Sequence, residues 1–122
     1  MNWEIYIPYF MAHEFNCKCM CGLNNMTVPH MSKLFSARLM AGIPFHIRSG
    51  SRCKLNNQLA GGEETSDHLT GQGSDIEALS GREKYIIITS LLAAGFTRIG
   101  VGPDYVHAGD AEHNPPEVIW PY

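Results

Sequence analysis

Two histidines and an aspartate carry the most specific chemistry in this chain. The stretch Ser66 to Asp75, SDHLTGQGSD, holds His68 and Asp75, and Gly71 and Gly73 between them let the backbone turn sharply enough to bring both side chains to one point. His107 lies near the end of the chain in Pro103-Asp104-Tyr105-Val106-His107. Two imidazoles and a carboxylate are the protein ligands of a catalytic zinc, whose fourth position stays open to water. Asp104 is the candidate base for such a site, with Asp110 as its competitor. Arg52 is the candidate cation, because a guanidinium holds a carboxylate through two parallel hydrogen bonds. Spacing alone does not establish the site. A histidine and an aspartate with six residues between them arise by chance, and a polar glycine-rich stretch is more often a surface loop.

Cys17, Cys19, Cys21 and Cys53 form a second group. In an extended chain, residues two apart sit ~6 to 7 Å from each other with parallel side chains, so neighbours in Cys-x-Cys-x-Cys do not readily pair as disulfides. Reduced thiols, a structural metal site and a disulfide to Cys53 are the three readings, in that order of preference. His13 is near enough in sequence to share a metal with them, although a surface histidine is the plainer reading.

These groups need a framework, and 122 residues supply one domain, 1–122, with a modest core. A formal charge of -3 with nine basic residues argues against a nucleic-acid binder. No apolar run approaches the ~18 residues of a membrane span. The start, MNWEIYIPYF, has an acid where a signal peptide would have a basic region, so the chain is expected to be soluble and made in a cytoplasm. Trp3 to Phe10 reads as an extended or irregular segment whose aromatics cover the core. From Pro29 to about Ala41, the apolar residues Met31, Leu34, Phe35 and Leu39 at helical spacing predict a helix ending at Gly42. Ile43 to Arg48 reads as a short strand, and Asn56 to Gly62 as a loop. Ser80 and Glu83 form a capping box ahead of a helix that stops at Gly95. Phe96 to Val101 alternates as a strand, Gly102-Pro103 turns it, Tyr105 to Ala108 is the next strand, and Val118 to Trp120 could add an edge strand.

Four segments, in order and spacing, carry a resemblance. They are Ser49-Gly50-Ser51-Arg52-Cys53, Ser66-Asp67-His68-Leu69-Thr70-Gly71-Gln72-Gly73-Ser74-Asp75-Ile76, Gly95-Phe96-Thr97-Arg98-Ile99-Gly100 and Tyr105-Val106-His107. Together they resemble the zinc peptidases of the D-alanyl-D-alanine carboxypeptidase type, the M15 family, which includes the L-alanyl-D-glutamate endopeptidases of phage lysins. The Phe15 to Gly22 segment also looks like the cysteine-bearing lead-in of phage-encoded members. The resemblance implies one Zn2+ held by His68, Asp75 and His107, Asp104 as the acidic base three residues before the last ligand, and Arg52 and Ser66 in contact with substrate. The sequence departs from the pattern in two places. The acid after the last ligand, Asp110, stands one position late, and Ser74 replaces the usual alanine before the aspartate ligand.

The resemblance implies a small α+β domain in which an antiparallel sheet carries the zinc site and helices cover its other face. The expected activity is hydrolysis of a peptide bond in bacterial peptidoglycan, by a monomeric phage or virion-associated enzyme made in the host cytoplasm and acting on the cell wall. Two rivals stand beside it. One is a non-catalytic zinc-binding structural or morphogenesis protein, and the other is a D,D-carboxypeptidase or dipeptidase acting on free peptides.

Overall fold

The computed structural model describes residues 1–122. Its helices are α1 (Val28–Ala41), α2 (Lys54–Leu59) and α3 (Gly81–Ala94), and its strands are β1 (Ile47–Ser49), β2 (Gly73–Glu77), β3 (Arg98–Val101), β4 (Tyr105–Gly109) and β5 (Val118–Pro121). Both long helices begin and end on local signals. The Thr27 hydroxyl accepts the N–H of His30 at the start of α1, and Ser80 accepts that of Glu83 at the start of α3. The Glu83 carboxylate reaches back to the N–H of Leu79 rather than to that of Ser80, so the predicted box closes one residue early. Gly42 and Gly95, with φ of 68° and 104°, end the two helices in the left-handed region that favours glycine.

The strands form one sheet in the order β1-β2-β4-β3-β5. Side chains alternate across it, and the alternation divides the molecule. Ile76, Ile99, Val106 and Ala108 point to one face, where they join Met31, Leu34 and Ala37 of α1 and Ile87 and Leu91 of α3 in the core. Asp75 and His107, paired in register on β2 and β4, point to the opposite face. Truncating a core side chain such as Leu34, which is fully buried, would cost about 2 to 5 kcal/mol.

Three expectations change. The sheet is mixed rather than antiparallel, because β5 runs parallel to β3. After β4 the chain crosses to the free edge of β3 and enters from the same end. Residues 54–59, of which 56–59 are expected as loop, form α2, with the Cys53 sulfur accepting the N–H of Asn56 at its start. The asparagines that argued for a loop sit on a single short turn of helix, where their low propensity costs little. Residues 3–6, expected extended or irregular, form a 3-10 turn that buries Tyr6.

Candidate metal centre and cleft

The polar face of the sheet brings the candidate ligands together. Asp75 on β2 and His107 on β4 are cross-strand partners, and Gly100 on β3 is the partner of His107 on its other side. His68 comes from the 3-10 turn Asp67–Thr70 that leads into β2, where Ser66 caps the turn by accepting the N–H of His68. The turn ends at Gly71, with φ of 69°, where an added Cβ would lie 1.9 Å from the carbonyl oxygen of Asn25. The stretch expected to be a loop is therefore a 3-10 turn feeding a central strand. One ligand atom from each of His68, Asp75 and His107 lies within 4.8 Å of the others, and all three residues are buried.

Groups behind the histidines orient both rings. His68 Nδ1 lies 2.7 Å from the carbonyl oxygen of Gly50, which only accepts, so this nitrogen carries the proton. Burial, outweighing the attraction of Asp75, lowers the pKa of His68, so its Nε2 turns a lone pair toward Asp75 Oδ1 at 3.2 Å. A lone pair facing a carboxylate oxygen at that distance is an arrangement that a cation between them satisfies, and on this ground the donor set fits a divalent metal. On His107, Nε2 faces Asp67 Oδ2 at 2.8 Å and Nδ1 faces Asp75 Oδ1 at 2.9 Å. Burial pulls the His107 pKa down, but its hydrogen bonds to Asp67 and Asp75 and their charges outweigh burial and raise it.

The carboxylates are held ionised. Burial pushes Asp67 up, but His107, Asn114 and Arg98 bring it down to about 2. Burial likewise pushes Asp75 up, and its hydrogen bond with His107 foremost brings it well below the carboxylate range. Arg98 Nε donates to both Asp67 oxygens at 3.2 Å, and its guanidinium stacks 5.0 Å from the Trp120 ring centre. Gly109 makes room for this carboxylate, since a Cβ there would lie 2.2 Å from Asp67 Oδ2.

A cleft of about 500 Å³ opens over Asp75 and His107, lined also by Arg52, Ser66, Tyr105 and Trp120. Arg52 donates from Nη2 to Asp75 Oδ2 at 3.2 Å, from Nε to Ser49 and from Nη1 to Asn57, so it orients the free oxygen of the aspartate as well as facing the cleft. Asp104 lies on the turn between β3 and β4 with its side chain 52% exposed, and its carboxylate pairs with Arg48 at 2.8 Å. Asp110 is held by His30 at 2.8 Å and Lys33 at 2.7 Å. The ring of His30 is also bonded to Ser74, which ties Asp110 to α1. Sequence reasoning missed Asp67, Arg98, Tyr105 and Trp120 as parts of the site. For Arg98 and Tyr105 a signal lay in strand parity, because 98, 105 and 107 share a face once β3 and β4 are paired.

The Peptidase M15 family profile matches residues 8–108, a span that includes all three candidate ligands. No curated protein sequence matches the chain.

Proposed function

The chain belongs to the peptidase M15 family, and from that premise we propose that it is a zinc peptidase that hydrolyses a peptide bond in bacterial peptidoglycan, as a phage or virion-associated lytic enzyme. The observation that carries the reading is the convergence of His68, Asp75 and His107 beside an open cleft, with the outward nitrogens of both rings already engaged by Gly50 and Asp67. Zinc held by this set supplies Lewis acidity toward a carbonyl and a water at neutral pH. His68 Nε2, Asp75 Oδ1 and His107 Nδ1 would hold it. Asp67 fixes the His107 ring, and Arg52 fixes Asp75 while its guanidinium faces the anionic stem peptide. Ser66 lines the same wall and meets the peptide backbone.

Asp104 is the base in this reading. It must exchange Arg48 for the cleft, which costs little, because exposed ion pairs contribute about 0 to 1 kcal/mol. Its neighbour Tyr105 already lines the cleft. Asp104→Asn keeps the size of the side chain but cannot take a proton. Turnover on purified peptidoglycan should therefore fall by ~10²-fold or more with metal content unchanged. Mass spectrometry of the released fragments identifies the bond that is cut and separates a lytic enzyme from a carboxypeptidase of free peptides. Near-normal turnover in Asp104→Asn removes Asp104 from the role. The ion pair of Asp104 with Arg48 favours a second reading, a zinc-binding structural or morphogenesis protein. A wild-type chain that is fully loaded with zinc and releases no fragments would establish it.

A further inference from the structure

The cysteines form a second convergence, away from the cleft. None of Cys17, Cys19, Cys21 and Cys53 is in a disulfide. Their four sulfurs all lie within 4.8 Å of one another, although Cys53 is 32 residues beyond Cys21 in the chain. Cys19 Sγ lies 3.4 Å from Cys17 Sγ and 3.5 Å from Cys53 Sγ. A tetrahedron of sulfurs about 2.3 Å from a zinc ion has edges of about 3.8 Å, so the group stands near the size of an S4 shell without moving the backbone. We propose that Cys17, Cys19, Cys21 and Cys53 bind one structural zinc ion as four thiolates, separate from the His68, Asp75 and His107 centre.

Two features support this site. Two backbone N–H groups already point at the sulfurs: Cys53 N–H donates to Cys17 Sγ at 3.4 Å, and Asn56 N–H donates to Cys53 Sγ at 3.4 Å. Such bonds stabilise thiolate and orient it toward a metal. The chain turns tightly at these cysteines, with Met20 at φ 69° between Cys19 and Cys21 and Gly22 at φ 85° just after them, and the three sulfurs converge. The extended geometry that would have spread them 6 to 7 Å apart is abandoned, and the disulfide to Cys53 is no better placed than a metal. Four thiols lose four protons to the solvent as zinc binds, which leaves a dianionic cluster that the N–H donors partly neutralise.

The site also has a structural consequence. Cys53 follows Arg52, and the same loop carries Gly50, whose carbonyl orients His68. Ser51 N–H bonds to the carbonyl of Phe15, two residues before Cys17. A metal at the cysteines therefore clamps the N-terminal segment to the loop that supports the cleft.

The test uses the full chain, purified with reductant and loaded with zinc or with cobalt(II). The wild type should carry two metal ions per chain, and the cobalt form should show sulfur-to-metal charge-transfer absorption in the near ultraviolet. His68→Ala should lose one ion and keep that absorption. Cys19→Ser/Cys21→Ser, both exposed positions, should lose one ion and the absorption, and should melt at a lower temperature. Mass measurement of the denatured, unreduced protein reads the cysteines independently of folding. The proposal is overturned if the cobalt form of the wild type lacks thiolate absorption, if a disulfide is found among these cysteines, or if the double variant keeps both ions. A wild type that carries a single ion, with the thiolate absorption intact and the metal count unchanged in His68→Ala, would count against the proposed peptidase and leave this site standing.

Discussion

The two clusters of ligand-type residues differ in what surrounds them. His68, Asp75 and His107 sit on the polar face of the sheet, 2%, 7% and 2% exposed, with three donors converging and a cleft on the remaining side. The cysteines sit on loops, offer four donors, and none of them lines the cleft. Three protein ligands with an open position suit catalysis, and four closed ligands suit structure. The supporting groups differ in the same sense. The histidine rings are aimed by a carbonyl and a buried carboxylate at 2.7 and 2.8 Å, whereas the sulfurs are aimed by N–H groups of the turn itself. A rigid sheet positions reacting groups, and a turn needs only to close on a metal.

This contrast breaks most sharply at His68. His68→Ala should abolish turnover and remove one metal ion, with circular dichroism to check that the chain still folds, since the ring is buried and bonded to the Gly50 carbonyl. A variant that keeps full activity would end the assignment of the open site. Asp67→Asn is the next largest test. It keeps the shape but loses the charge that holds His107, so zinc affinity at the open site should fall by about 10- to 100-fold, measured by competition with a chelating dye. Affinity at the cysteines should not move, and a parallel drop there would mean that Asp67 acts through the fold as a whole. The smallest effect is in acid stability. Asp67 has a folded pKa of about 2 against an ordinary 3.8, so its contribution is present above that ordinary value and is lost as pH falls toward about 2. Asp67 should account for at most about 2 kcal/mol of the stability lost across that window, read by denaturant titration as the difference between chelated wild type and Asp67→Asn.

Much of this was legible in the sequence where the physics is local. The boundaries of α1 and α3 follow from hydroxyl caps and left-handed glycines, which act over three or four residues, and the alternation of β3 and β4 follows from every second side chain joining the apolar core. The three candidate ligands were named from a motif, because their order along the chain survives folding. What remained hidden depends on pairing between distant segments. The parallel entry of β5, the partnership of Asp67 with His107 across 40 positions, and the pairing of Asp104 with Arg48 are consequences of strand register. A one-residue slip in β4 would turn His107 into the core and Val106 into the cleft. The meeting of Cys53 with Cys17 and Cys19 likewise needs the Ser49–Cys53 loop to be laid against Phe15, a contact between segments more than 30 residues apart that only the packed tertiary structure decides.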